Sequence, residues 1–201
     1  MKFRIEVDLN VSCEDFWKYR AHSKLLSYQV KRGGLDRIET VEEGVQDNGT
    51  YYRRMHIFPK MEFLELSKSI KRHVEQKFTG LHDYQWWEED GSLVQCFETR
   101  PLGFLANHVL TEGKMELTKI SDTVCRYSLT GSVDVHFLGL GPIVEAAVVH
   151  NMKKFYKGGF RDSVNEFFQH SFSEDEEFLA LDCNSSLNSI RTATIRSCGD
   201  V

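Results

Sequence analysis

Apolar and charged residues alternate at the start of the chain, as is typical of a β-strand with one buried face. The alternation covers residues 3–9, and its apolar positions are Phe3, Ile5, Val7 and Leu9. Ser12 follows, three residues before Asp15. This spacing is typical of a helix N-terminus, because a serine hydroxyl accepts a hydrogen bond from an amide of the first turn. A short helical segment is therefore predicted, with a break near His22 and an end at the glycine pair 33–34.

Three pairs of strands are predicted further along the chain, each joined by a short turn. Asp-Asn-Gly at 47–49 and Asp-Gly at 90–91 are typical hairpin turns, because their residues adopt the backbone angles that tight turns need. Strands that are joined in this way pair in antiparallel fashion. The predicted pairs are 35–46 with 51–55, 84–89 with 92–99, and 110–120 with 123–137.

Two further segments are predicted to be helical. After Pro59, apolar residues recur at steps of three and four, which predicts an amphipathic helix inserted between strands. Its apolar positions are Phe63, Leu66, Ile70, Val74 and Phe78. Pro142 is suited to the first turn of a helix, and a long C-terminal helix is predicted from there to about Phe168.

The order of these elements predicts an α+β protein with one antiparallel sheet and its helices grouped on one face. A curved sheet that closes over a long helix leaves an internal space, which is either a cavity or a plug of side chains. The composition changes near residue 170, so the predicted domain covers 1–170 and a Ser/Asn-rich acidic tail covers 171–201. The tail has six acidic residues and two arginines but no sustained apolar periodicity, and it is predicted to be disordered.

Four segments carry a resemblance to a known superfamily. They are Pro59 with its helix, Tyr-Gln-Trp-Trp at 84–87, Glu-Thr-Arg-Pro at 98–101, and the strand-to-helix junction at 139–145. Through them the chain resembles the START-like, helix-grip (SRPBCC-type) superfamily, nearest to its families of uncharacterised function and more distantly to VASt-type lipid-binding domains. The resemblance implies a curved antiparallel sheet wrapped around the C-terminal helix. It also implies binding or transfer of a lipid, sterol or other apolar small molecule, although the superfamily includes enzymes and co-chaperones as well.

Residues that face the expected internal space are candidate ligand contacts, because a lipid pocket needs an apolar lining with few polar groups. The candidates are Tyr51, Met55, Trp86, Phe97, Met115, Tyr127, Glu145, Val148 and Met152. Glu145 has two interpretations. Its carboxylate could contact a polar group of the ligand or a buried arginine, or it could complement the helix dipole in the first turn.

A second set of residues is a candidate for transient contact with a membrane surface. Basic residues beside an apolar stripe and apolar residues in a loop are the features that such contacts need. The candidates are Leu102, Phe104, Leu105, Lys68, Lys71 and Arg72. The alternative is a helix packed on the sheet with a solvated basic edge.

Composition narrows the classes of function. A formal net charge of -5 argues against nucleic-acid binding through a general basic surface. The five cysteines are scattered without a C-x-x-C spacing, which indicates free thiols rather than disulfides or a zinc site. The N-terminal ten residues include acidic side chains where a signal peptide is apolar, so a cytoplasmic location is predicted.

No H-E-x-x-H, G-x-S-x-G or phosphate-binding loop is present in the sequence; these are the motifs that carry common catalytic chemistry. The predicted function is therefore non-catalytic binding, and transfer between membranes, of a hydrophobic small molecule, with no cofactor and no metal. One alternative is an interaction adaptor that recruits a protein partner through the tail. A less favoured alternative is an enzyme that acts on a hydrophobic substrate.

Overall fold

The computed structural model describes residues 1–65, 71, 78–136 and 139–171. The strands are β1 (Lys2–Leu9), β2 (Leu35–Val45), β3 (Tyr51–Pro59), β4 (Leu81–Trp87), β5 (Val94–Pro101), β6 (Val109–Lys119) and β7 (Cys125–Val135). The helices are α1 (Cys13–Tyr19), α2 (Ser23–Gly33), α3 (Gly141–Phe155) and α4 (Arg161–Ser171). The chain divides into a first unit, Met1–Phe167, and a second, Phe168–Val201. Of the predicted tail at 171–201, residues 172–201 lie outside the described residues, so its disorder and its role as a partner site stay predictions.

The seven strands form one antiparallel sheet in the order β1-β7-β6-β5-β4-β3-β2. Helix α3 packs against β7, which gives the α+β, helix-grip architecture and confirms the predicted fold class. Because side chains alternate between the two faces of each strand, the register fixes which residues face the helix. On β1 every second residue is buried, ending with Leu9.

The predicted helix break near His22 is confirmed, and both helix starts have side-chain caps. The Ser12 hydroxyl accepts a hydrogen bond from the backbone amide of Asp15 at 3.0 Å. The His22 ring accepts one from the amide of Lys24 at 3.2 Å. Each cap satisfies an amide that has no partner within the helix. Gly34 ends α2 in the left-handed region, with φ of 68°.

A π-helical turn, Tyr156–Phe160, joins α3 to α4. This turn packs against α2, and the approach is close because both surfaces consist of glycine backbone. A Cβ atom on Gly159 would lie 2.5 Å from the Cα of Gly33 and 2.6 Å from the carbonyl oxygen of Arg32. Any side chain at Gly159 would therefore push α2 away from the turn.

Several boundaries differ from the sequence predictions. β7 is shorter than the predicted 123–137, and the π-helical turn interrupts the predicted C-terminal helix. β4 begins at Leu81 rather than 84, and β5 begins at Val94 rather than 92, because Leu93 has a φ of 51° and extends the turn. Pro59 ends β3, where it pairs with Leu35, and a 3₁₀ turn follows at Met61–Phe63. Most of the amphipathic helix predicted after Pro59 lies outside the described residues. None of the described helices is long and apolar enough to cross a membrane.

Candidate ligand cavity

A cavity of about 790 Å³ lies between the inward face of the sheet and the helices α2 and α3. The inward positions of β3 to β7 form its floor, and most of the side chains around it are apolar. A volume in the range of roughly 300–1,000 Å³ is typical of small-molecule sites. The internal space, which the sequence alone allows to be either a cavity or a plug, is therefore a cavity.

Six of the nine predicted ligand residues line this cavity. The sheet contributes four of them and α3 contributes two; they are Met55, Phe97, Met115, Tyr127, Val148 and Met152. They come from separate strands because neighbouring inward positions on an antiparallel sheet form rows across it. Their contact with a ligand stays a prediction.

Two predicted aromatic contacts lie elsewhere on the sheet. Tyr51 stacks on Trp87 with ring centroids 5.9 Å apart, and its hydroxyl donates to a carboxylate oxygen of Glu89 at 3.2 Å. Trp86 faces the opposite side of β4 from the cavity and stacks on Tyr84 at 5.2 Å. The prediction that Trp86 faces the cavity is wrong. Side chains alternate between the two faces of a strand, so an error of one residue in the alternation assigns a side chain to the wrong face.

Glu145 also lies outside the cavity lining. Its carboxylate accepts hydrogen bonds from the amino group of Met1 at 3.0 Å and from the backbone amide of Val135 at 3.3 Å. The hydrogen bond from the Met1 amino group is the main reason that the pKa of Glu145 is lowered. The carboxylate therefore connects the first turn of α3 to the ends of β1 and β7, rather than to a ligand.

Buried polar side chains interrupt the apolar lining at one place. Asp83 is 6% exposed and lies on the cavity face of β4. Its carboxyl oxygens accept hydrogen bonds from the Thr99 hydroxyl and from the Gln85 side-chain amide, the second at 2.7 Å. Burial raises the pKa of Asp83, although these two hydrogen bonds and the charge of Arg53 act in the opposite direction. The protonated carboxyl group is thus favoured relative to a solvated aspartate.

Arg53 lies beside Asp83 on the next strand and is 4% exposed. Its Nε is buried and has no hydrogen-bond partner within the described part of the chain. Among the described residues, the nearest carboxylate oxygen is that of Glu43, at 3.8 Å, on a side chain that is half exposed. Burial lowers the pKa of Arg53, yet a guanidinium group stays charged in proteins. The cavity thus contains a buried cation whose nearest described carboxylate, on Glu43, is half exposed and beyond hydrogen-bonding distance.

A second guanidinium, that of Arg20, lines the same cavity. It lies over the rings of Trp17 and Trp87, at 3.8 Å and 4.6 Å from their centroids. Its Nε donates to the side-chain carbonyl of Gln95 at 3.2 Å. Burial lowers the pKa of Arg20 to about 9, and the positive charge of Arg53 adds to this effect.

Two tyrosines also belong to the ionisable lining. Tyr127 and Tyr156 stack with ring centroids 5.6 Å apart and interplanar angle 23°. Burial is the largest cause of the raised pKa of both hydroxyls. The charge of Asp83 raises both pKa values further, which indicates that the three groups share one electrostatic environment.

The sequence patterns did not identify Arg20, Arg53 or Asp83 as site residues. For Arg53 a signal was present, because the alternation that places Met55 on the inward face of β3 places Arg53 there too. Asp83 likewise lies at an inward position, on β4. Charged residues at inward strand positions are rare unless they are paired or functional. Arg20 follows the end of α1, where no periodicity predicts its direction.

Apolar side chains surround one end of the cavity. Phe104 is 66% exposed and Leu105 is buried, and both line the cavity. Among the other predicted membrane contacts, Leu102 and Lys71 are described but are not part of the lining, whereas Lys68 and Arg72 lie outside the described residues.

The chain after β3 is held to α3 at this end. The Asn151 side chain accepts a hydrogen bond from the Glu65 amide at 2.8 Å and donates one to the Glu65 carbonyl at 3.0 Å. The Glu65 carboxylate lies 2.6 Å from both the Lys154 ammonium and a ring nitrogen of His150. Within the described ranges, no group of three or more His, Cys, Asp or Glu side chains could hold a metal ion.

Solved structures share this arrangement over most of the chain. A START superfamily protein from Mycobacterium smegmatis is 9% identical, with 83% of this chain and 98% of that chain covered and a TM-score of 0.54. The chain has a START-like helix-grip fold. The ZhuI aromatase/cyclase from Streptomyces sp. R1128 is 12% identical, with 85% and 97% covered and a TM-score of 0.52. A dicamba monooxygenase bound to 3,6-dichlorosalicylic acid is 12% identical, with 97% of this chain and 60% of that chain covered and a TM-score of 0.53.

No protein-family model matches the sequence, and no curated protein matches it. The START-like fold confirms the fold that the resemblance implies. An aromatase/cyclase and a monooxygenase share the fold, and this finding overturns the prediction of a protein without catalytic activity. That prediction rested on missing motifs, but one fold hosts many functions, and the absence of those motifs does not exclude catalysis.

Proposed function

We propose that the protein binds a hydrophobic small molecule in the cavity beneath α3. The observation that carries this proposal is the internal space of about 790 Å³ with a largely apolar lining. Burial of apolar ligand surface at roughly 25 cal/mol per Å² favours binding in such a space. The neighbours with the START-like fold support a ligand-binding role at this coarse level.

The finer part of the proposal is that the molecule is a lipid or sterol that is exchanged at a membrane surface. Large apolar side chains that are partly exposed at the cavity support it: Phe63 is 49% exposed, Phe104 66% and Leu140 41%. Exposed apolar side chains beside an internal cavity are suited to a site where ligand passes between protein and bilayer. Cytoplasmic location and transfer stay predictions alongside this proposal.

Two adjacent alanines on α3 offer a test of cavity binding. Ala147 lines the cavity, whereas Ala146 is exposed. Ala147→Trp fills part of the space and is expected to weaken binding of the neutral dye Nile red, measured by its fluorescence, at least tenfold. Ala146→Trp adds the same volume to the surface and is expected to bind as the wild type does. Equal affinities of the two variants would contradict binding in this cavity.

A second function, catalysis on the bound molecule, is favoured by the buried ionisable side chains in the lining. Asp83, Tyr127 and Tyr156 are each able to hold or donate a proton at the cavity surface. Groups with shifted pKa values that gather in a cleft are typical of functional sites. The test is to incubate the purified protein with the molecule that copurifies with it and to follow that molecule by mass spectrometry. Turnover by the wild type that is absent from Asp83→Asn supports catalysis, and an unchanged molecule contradicts it.

A further inference from the structure

The cavity holds more positive charge than its neighbouring acids neutralise. Arg53 and Arg20 both line it, and burial is the main cause of the lowered pKa of each. The Arg53 side chain is 5% exposed, and its Nε has no hydrogen-bond partner in the parts of the chain that the structure describes. A buried donor left without an acceptor is unfavourable, so this atom indicates a missing partner.

The nearby acids do not supply that partner. The oxygens of Asp83 are engaged by Thr99 and Gln85, and in the described chain Asp83 forms no salt bridge with Arg53. Glu43 is 3.8 Å from the Arg53 Nε, but its side chain is 51% exposed and is largely solvated. The guanidinium therefore faces the cavity with hydrogen-bonding capacity to spare.

We propose that the ligand is an apolar molecule that carries a carboxylate, and that Arg53 binds this carboxylate at the sheet end of the cavity. This inference rests on the proposed function. A guanidinium presents parallel N–H donors that match the two oxygens of a carboxylate. Arg20 provides a second positive charge on the same side, and its stacking between Trp17 and Trp87 fixes its position.

The rest of the cavity determines what the carboxylate is attached to. Met55, Phe97 and Met115 lie on the inward face around the polar cluster, and Val148 and Met152 lie on α3. Such a lining accommodates either a long alkyl chain or a fused-ring skeleton. Both kinds of ligand would carry a single carboxylate on an otherwise uncharged, apolar molecule. The carboxylate distinguishes this ligand class from neutral sterols and alcohols.

Matched pairs of acids and alcohols test the inference. Displacement of Nile red is measured with oleic acid against oleyl alcohol, and with 9-anthracenecarboxylic acid against 9-anthracenemethanol, at concentrations below micelle formation. The wild type is expected to bind at least one acid about tenfold or more tightly than its alcohol, as a charge-assisted hydrogen bond provides. The chain pair and the ring pair then distinguish a fatty acid from an aromatic acid.

Adjacent arginines on β3 give the variant and its control. Arg53→Met removes the inward guanidinium and is expected to abolish the preference for the acid while the alcohol binds as before. Arg54 faces the other side of the strand and pairs with Glu42 at 2.7 Å, so Arg54→Met is expected to keep the preference. Arg53→Lys keeps the charge but not the paired donors, and it is expected to reduce the preference without abolishing it.

Each outcome bears on the inference separately from the proposed function. Equal binding of acid and alcohol by the wild type overturns the carboxylate assignment and leaves the cavity function intact, and this comparison needs no variant to fold. A preference for the acid that survives Arg53→Met also overturns it. If Nile red and all four compounds fail to bind, the proposed function fails, and the assignment of a carboxylate ligand fails with it.

Discussion

The β1 end of the sheet buries only apolar inward side chains, whereas β3 and β4 also bury charged ones. On β1, Ile5 and Leu9 are 1% and 0% exposed. On β3 and β4, the inward Arg53 and Asp83 are 4% and 6% exposed. Burial of the apolar pair stabilises the fold, whereas burial of charged groups opposes folding unless they are well paired. The difference separates a part of the sheet that stabilises the fold from a part that retains buried polar groups, as the proposed carboxylate site requires.

The largest expected effect is on the apolar side. Leu9→Ala removes a fully buried side chain and is expected to lower the free energy of unfolding by about 2–5 kcal/mol. Met55→Ala is expected to lower it by less, because Met55 already borders empty space and loses fewer contacts. Urea unfolding of both variants measures the difference, and equal losses would contradict the division into two sides.

The next effect concerns the buried cation. Arg53→Met is expected to leave the free energy of unfolding unchanged or to raise it, because the variant no longer buries a charge whose nearest described carboxylate, on Glu43, is half exposed and 3.8 Å away. Its unfolding is measured at neutral pH beside that of Arg54→Met. A loss of about 3 kcal/mol or more, as follows from breaking a buried ion pair, would show that Arg53 has a structural role.

The third effect depends on pH. The pKa of Asp83 is above its usual value of 3.8 in the folded protein, so between the unfolded and folded pKa values the folded state binds more protons. Stability from this group is therefore present at low pH and falls as the pH rises from about 4 toward the folded pKa. Asp83→Asn removes the titrating group, and its stability relative to the wild type is expected to increase between pH 4 and pH 7. Urea unfolding at these two pH values measures the change. If the stability of Asp83→Asn relative to the wild type stays constant or decreases between these pH values, burial is not the dominant influence on the pKa of Asp83.

The smallest effect is expected at Glu145. Glu145→Gln removes the ion pair with the Met1 amino group but keeps an acceptor for the Val135 amide, so a small fall in melting temperature is expected. Nile red affinity is expected to stay the same because Glu145 does not line the cavity. Weaker dye binding without a change in melting temperature would restore the interpretation of Glu145 as a ligand contact.

Local patterns in the sequence were sufficient for the sheet and the helix starts. Alternation located β1, turn residues located the hairpins, and the Ser12 spacing located α1, because each depends on neighbours within a few residues. The side of the sheet that Trp86 faces depends on a one-residue phase, and no local pattern specifies it.

The partners of Glu145 and of Arg53 were harder to predict because they lie elsewhere in the sequence. Glu145 and Met1 are 144 positions apart, and nothing near Glu145 in the sequence identifies that partner. The inward phase of Arg53 is visible in the alternation of β3. That its nearest carboxylate oxygen among the described residues belongs to the half-exposed Glu43, 3.8 Å away, becomes visible only once the strands are aligned.

The most direct test of the account is native mass spectrometry of the full chain purified without detergent, followed by extraction and identification of any bound molecule. One apolar molecule per chain is expected in the wild type and in Ala146→Trp, and none in Ala147→Trp. A bound molecule that persists in Ala147→Trp would contradict the claim that this cavity is a ligand site. The claim would also be contradicted if none of the three proteins binds Nile red and no apolar molecule is extracted from any of them.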